Sequence, residues 1–151
     1  MKNLSVTATE KSFLLNKKEI HKLISYLIKQ LKLELSYLEI NLVNQDEILE
    51  INSEYLKHNY TTDIITFNYS EIMHVIDAEI FISLHDCLEN SVRFECSFND
   101  ELKRLIIHGL LHLIGFDDKS IKEQNKMRIK ENELLALVND NIKLNLSEYA
   151  G

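Results

Sequence analysis

"HGLLHLIGFDD" occupies residues His108 to Asp118. The two histidines are four residues apart in an otherwise apolar run, Gly115 breaks the run, and two aspartates follow directly. On a helix, residues i and i+4 are neighbours with Cβ atoms roughly 5–6 Å apart. His108 and His112 therefore point the same way. The helix is apolar nearly all round from Leu105 onward, which predicts that it is buried. A buried imidazole needs a hydrogen-bond partner or a metal, and two protonated neighbours would repel each other. Gly115 permits a left-handed turn that a Cβ resists. That turn folds the chain back, so that Asp117 or Asp118 can offer an oxygen to whatever the imidazoles hold.

Working outward from this stretch, Ser97 opens its helix with Asp100 three residues on, a capping-box spacing, and Gly115 stops it after about Ile114. A last helix is predicted from near Lys119, with Met127, Leu134 and Val138 on one face. On the other side, residues 84–92 read as helical. "HVIDAEIFIS" (His74 to Ser83) reads as a buried strand, and "DIITFNY" (Asp63 to Tyr69) is β-branched and aromatic, hence strand-like. A short helix is expected from Asp46 to Tyr55, with Ile48, Ile51 and Tyr55 inward. "LEINLV" (Leu38 to Val43) alternates as a strand does. Asn16 and Glu19 cap a helix carrying Ile20, Leu23, Leu27 and Leu31 at helical spacing. Residues near 2–15 supply one or two short strands, the second around Phe13 to Leu15. The expected fold class is α/β (α+β): a single-domain sandwich over residues 1–151, with a small mixed sheet flanked by helices.

A chain of 151 residues with a net charge of −7 and two cysteines, Cys87 and Cys96, outside any CxxC pair reads as one globular domain with reduced thiols. The first residues lack the apolar core of a signal peptide, and no stretch approaches the roughly 18–20 apolar residues of a membrane span. A cytoplasmic protein without membrane contact is the expectation. The negative charge disfavours a nonspecific basic nucleic-acid surface but leaves room for a local or metal-based one. There is no proline and there are three glycines, two of them, Gly109 and Gly115, inside the opening stretch.

Two imidazoles and one carboxylate suit a tetrahedral zinc with one position left for water. Iron and manganese take the same donors. The spacing H-x-x-x-H-x-x-G is shared with metzincin proteases, whose motif is HExxHxxGxxH. Their general-base glutamate corresponds to Gly109 here. A peptidase of that mechanism would lack its proton shuttle.

The stretch resembles the signature of the YbeY family, HGxLHLxGYDH, whose members are bacterial endoribonucleases of ribosomal RNA maturation. The resemblance implies that His108, His112 and Asp118 are the metal ligands, with Asp118 where the signature has its third histidine. A carboxylate there lowers the net charge of the site and makes a metal-held water less acidic than three histidines would. "INSEYLKHNYTTDIITF" (Ile51 to Phe67) is similar to the family's LNxxYRxxxxPTDVLSF, matching at Asn52, Tyr55, Thr62, Asp63 and Phe67. "DAEIFIS" (Asp77 to Ser83) resembles LGDIxIS, and "MRIKENELL" (Met127 to Leu135) resembles the MxxxEexiL of the last helix. The resemblance spans roughly residues 40–138. The family's arginine, a residue of RNA contact or cleavage, falls on Leu56, which cannot hold a phosphate. Lys57, His58 and Arg104, one turn before His108, are candidate substitutes.

The resemblance implies a zinc-dependent, single-strand-specific endoribonuclease of 16S ribosomal RNA 3′-end maturation and ribosome quality control. Its partners would be single-stranded ribosomal RNA and the ribosome or its subunit proteins. Its cofactor would be one zinc or another divalent transition metal. Glu79 is a further carboxylate to place, on a strand that could pass near the site. The alternatives are a non-catalytic RNA- or ribosome-binding factor, in which Asp117 completes a closed structural zinc site, and a metalloprotease-like hydrolase. His21, His74 and His85 stand outside any ligand spacing.

Overall fold

Alternation along one strand organises the molecule. In β5 (Val75–Ser83), Ile76, Ala78, Ile80 and Ile82 are fully buried, whereas Asp77, Glu79 and Phe81 are half-buried. Successive side chains of a strand point to opposite faces, so β5 divides the interior into two unequal parts. The computed structural model describes residues 3–55 and 62–149; Leu56, Lys57 and His58 lie outside them.

β5 sits inside a four-stranded mixed sheet with the spatial order β1 (Leu4–Ala8), β3 (Glu34–Val43), β5, β4 (Ile64–Asn68). β1, β3 and β5 run parallel, and β4 is antiparallel to β5. This is the small mixed sheet expected from the sequence. A separate two-stranded ribbon pairs β2 (Phe13–Leu15) with β6 (Ser147–Tyr149); the sequence reading had no strand at the latter.

The larger core lies on the Ile76–Ile82 face. It is built with α1 (Lys17–Gln30), whose Ile20, Leu23, Ile24 and Leu27 are fully buried, and with α4 (Phe98–Leu113). α5 (Ile121–Asn141) closes it through Met127, Leu134 and Val138. Each such aliphatic side chain contributes about 1.5–3 kcal/mol of transfer free energy on burial. On the opposite face, α2 (Gln45–Tyr55) covers a smaller cluster of Val43, Ile48 and Ile65, with Phe67 and Phe81 against it. α3 (Leu84–Arg93) follows β5 directly.

The caps are where the residue types require them. The side chains of Asn16, Ser97 and Ser120 accept from the backbone N–H of Glu19, Asp100 and Glu123 at the starts of α1, α4 and α5. The last helix therefore begins at Ile121, slightly later than Lys119, because Ser120 is its cap. Tyr55 was expected inward, yet it is 63% exposed; as the last residue of α2 it lies beyond the small core and meets Phe67 edge-on. Among the described residues, no helix is long and apolar enough to cross a membrane.

Candidate metal centre

α4 is a buried helix with one wet rim. Leu102, Ile106, Ile107, Leu110 and Leu111 are fully buried, but the side chains of His108 and His112 keep 21% and 26% of their surface. The expected burial holds for the helix and not for its imidazoles, which reach the edge of the core. Their ring centroids are 4.7 Å apart, as the four-residue spacing requires.

The turn after α4 brings in the third donor. Gly115 has φ +104°, a conformation that side-chain-bearing residues rarely adopt. The N–H of Phe116 returns to the carbonyl of Leu111 at 3.0 Å and that of Gly115 to His112 at 3.2 Å, closing the helix end as a Schellman-type motif does. The chain doubles back, and Asp118 Oδ2 lies 3.4 Å from His112 Nε2 and 3.9 Å from His108 Nε2. Gln124 Nε2 donates to the Asp118 carbonyl at 2.9 Å, tying this loop to α5. One donor atom from each of His108, His112 and Asp118 lies within 4.8 Å of the others.

Asp117 goes elsewhere. Its Oδ1 accepts from the N–H of Asp118 at 2.7 Å, and its other oxygen is 4.0 Å from Lys119 Nζ. It lines a separate cavity of about 300 Å³ with Met73 and Phe116.

Behind His108 stands a residue to which the sequence reading gave no role. Glu131 of α5, only 8% exposed, places Oε2 2.5 Å from His108 Nδ1. Burial pulls the His108 imidazole down in pKa, and this is the largest single influence. The Glu131 hydrogen bond and charge, joined by Asp118 and Asp63, outweigh it, so the net shift is upward. Glu131 is held in turn by Arg104, whose Nη1 is 3.4 Å from Glu131 Oε1 and 2.8 Å from Asn132 Oδ1. Arg104, weighed as a phosphate ligand, is thus committed to a buried carboxylate. The signal that could have found Glu131 was its helical position four residues after Met127, on the face that packs inward.

These donors fit a divalent transition ion. Tetrahedral ligands at about 2.0–2.1 Å sit about 3.3 Å from one another, close to the His112–Asp118 separation. With Nδ1 facing Glu131, the Nε2 of His108 is the atom left toward Asp118. A carboxylate behind a ligating imidazole is the usual support of such sites, fixing tautomer and ring orientation.

Two other sequence candidates are placed by packing. A Cβ on Gly109 would lie 3.1 Å from both Ile64 Cδ1 and Ile80 Cδ1. Position 109 thus faces the sheet, and a glutamate there would be driven into the core instead of toward the histidines. Glu79 shares the β5 face of Phe81, opposite the one that carries α4, and its Oε1 accepts from Tyr69 Oη at 2.6 Å. That bond helps push the Tyr69 phenol up to about 12. Glu79 is not part of the centre.

The model of the family described as Endoribonuclease YbeY matches residues 5–139. This chain belongs to the YbeY endoribonuclease family. The match reaches further toward the N-terminus than the residue-by-residue resemblance, taking in most of β1 and all of α1. Among its relatives, the endoribonuclease YbeY of Phocaeicola vulgatus is 47% identical over 95 residues, 63% of this chain and 68% of that protein. That of Cytophaga hutchinsonii is 42% identical over 104 residues, 68% of this chain and 73% of that protein. The solution structure of TM1509 from Thermotoga maritima superposes with a TM-score of 0.61 at 27% identity, over 91% of this chain and 93% of that one. YbeY proteins are named as endoribonucleases, RNA-cleaving hydrolases, and the mixed α/β fold described above is the one this chain shares with the Thermotoga protein.

Proposed function

We propose that this chain acts as one domain over residues 1–151, a zinc-dependent endoribonuclease that cuts single-stranded ribosomal RNA in the cytoplasm. On this reading it serves 16S ribosomal RNA 3′-end maturation and ribosome quality control, working at the ribosome or its subunits. The observation that carries the reading is the convergence of His108, His112 and Asp118 on one half-exposed spot. His108 Nε2, His112 Nε2 and an Asp118 oxygen would hold the ion. A bound divalent ion supplies Lewis acidity: it neutralises charge on a phosphodiester and acidifies water toward neutral pH.

The protein's own part is positional. Glu131 retains the proton on His108 Nδ1, so the Nε2 lone pair stays aimed at the cluster. Arg104 holds Glu131 in place and is itself held by Asn132, whose side-chain oxygen accepts from it. The Gly115 turn delivers Asp118, which keeps 49% of its side-chain surface and so leaves the outer side open to a strand of RNA. Closed structural zinc sites use four protein ligands. Asp117, the residue that would complete such a site, is engaged with the Asp118 backbone and Lys119, which favours the catalytic reading over a zinc-stabilised binding factor. The Gly109 packing speaks against a peptidase of the metzincin kind.

The test combines elemental analysis with RNA cleavage. Purified protein is expected to carry about one zinc per chain and to cut a single-stranded RNA, with activity lost to a chelator and restored by zinc. Metal-free protein that cuts equally well would overturn the reading.

A further inference from the structure

A second cavity adjoins the metal centre, and the two share a wall. The first, of about 220 Å³, is lined by His108, Asp118 and Arg128 among others. The second, of about 310 Å³, is lined by Phe94, Cys96, Glu101, Arg104 and Arg128 among others. Arg128 and Glu131 border both. One long cationic side chain thus stands at the passage from the candidate ligands to the neighbouring space.

The two arginines at this wall are in different states. Arg104 is spent on Glu131 and Asn132. Arg128 is exposed, and among the described residues its guanidinium has no hydrogen bond and no ion pair. The nearby carboxylates make their contacts elsewhere: Glu131 with His108 and Arg104, Asp118 beside the two imidazoles, and buried Glu101 near Asn90 Nδ2 at 3.5 Å. In a chain of net charge −7, an unpaired guanidinium beside a metal centre is well suited to a bound anion, and a guanidinium fork matches phosphate oxygens.

The far end of the second cavity adds a different chemistry. Phe94, just past the end of α3, is 61% exposed. A large aromatic ring left in water near an arginine without a partner is the pairing that sequence-tolerant single-strand binders use, with bases stacked on rings and phosphates on cations. Arg93 lies 5.8 Å from the centroid of the same ring and leaves Phe94 largely accessible.

We infer that this second cavity is a nucleotide subsite: Arg128 holds the phosphate that flanks the one at the metal centre, and the Phe94 ring stacks the attached base. The strand then runs from the His108–Asp118 end past α5 toward the end of α3. The inference rests on the ribonuclease reading and extends it by assigning a path for the RNA.

Binding of a fluorescein-labelled 2′-O-methyl decanucleotide, shown by gel to stay intact and followed by anisotropy against salt concentration, tests it in zinc-loaded and chelator-treated protein. Arg128→Ala is expected to weaken binding about tenfold at low salt, the scale of one charge-assisted hydrogen-bonded contact. It should also make the log–log salt slope shallower by about 0.7, the value for one single-strand phosphate. Arg128→Lys should keep the slope while losing part of the affinity. Phe94→Leu should weaken binding about tenfold with the salt slope unchanged. Lys18→Ala, at an exposed position of α1, is the control and should match wild type. Arg128 is an exposed helix position where alanine is well tolerated, so an unchanged thermal midpoint should accompany the loss. Wild-type affinity and slope in Arg128→Ala, or wild-type affinity in Phe94→Leu, would overturn the subsite while wild-type cleavage leaves the ribonuclease reading standing. A wild-type protein that neither binds this strand nor cuts RNA would remove both.

Discussion

The side of α4 that meets the sheet and the rim that carries the histidines are built from the same sixteen residues under opposite constraints. Toward the sheet, Ile106 is fully buried and Gly109 leaves no room for a Cβ without moving Ile64 and Ile80. Along the rim, His108 and His112 stay partly wet and are held by charges from two other segments, Asp118 after the turn and Glu131 on α5. Close packing on one side fixes where the helix lies, and the polar partners on the other decide what it can bind. Changes on the first side should therefore cost stability, and changes on the second should cost metal and activity.

The largest effect that would sharpen this contrast is at His112. His112→Ala is expected to lower RNA cleavage by more than about a hundredfold, beyond what loss of a supporting partner costs, and to abolish retention of zinc through gel filtration. The urea midpoint of the metal-free protein should stay close to wild type, because the side chain is at the rim. A large stability loss would break the comparison.

Glu131→Gln comes next. Replacing the carboxylate behind a ligating imidazole typically reduces metal affinity by 10–100-fold, and a competition titration with a chromophoric chelator reads this directly. Unchanged affinity would mean that Glu131 is a packing residue and not a support of the centre.

Gly109→Leu probes the sheet side. Overpacking a filled core costs about 1–3 kcal/mol, so the urea midpoint should fall clearly while any protein that remains folded still binds zinc. A variant as stable as wild type would show that the helix is not seated as closely as Ile64 and Ile80 indicate.

The smallest effect concerns Glu101, buried at the start of α4. Burial, partly offset by Arg104 and the Asn90 hydrogen bond, holds its carboxyl above the usual carboxylate range. The folded state therefore binds the proton more readily than the unfolded state, and its stability falls as pH rises from the unfolded value, about 4.3, through the raised native one. Glu101→Gln should become more stable relative to wild type over that rise, as urea midpoints at acidic and neutral pH would register. A difference that is constant with pH would contradict the assigned direction.

The comparison also shows what local sequence can carry. The paired imidazoles were legible because four residues along a helix is a local distance. The helix caps at Asn16 and Ser97 were legible for the same reason, and the strands at 63–69 and 74–83 came from β-branched patterning that the sheet bears out. Tyr55 was misjudged because an apolar face continues to the end of α2 in the sequence while the small core beneath it stops sooner. β6 was missed because its partner β2 lies more than a hundred residues away. Glu131 was visible as a residue of the last helix but not as a partner of His108, 23 residues earlier. Glu79 was undecided until the alternation of β5 set it on the face opposite α4.

By itself, the order of residues determined the helix that carries His108 and His112, the glycine turn that ends it, and kinship with the YbeY family, because each depends on short-range geometry or on a contiguous motif. Only the tertiary structure decided that Asp117 turns to the Asp118 backbone and Lys119, that Glu131 stands behind one of the imidazoles, and that Arg104 is occupied while Arg128, among the described residues, has no partner. Those outcomes depend on how α5 docks against α4, and side-chain pairing across two packed helices is set by the core between them, which spacing along a single chain does not encode.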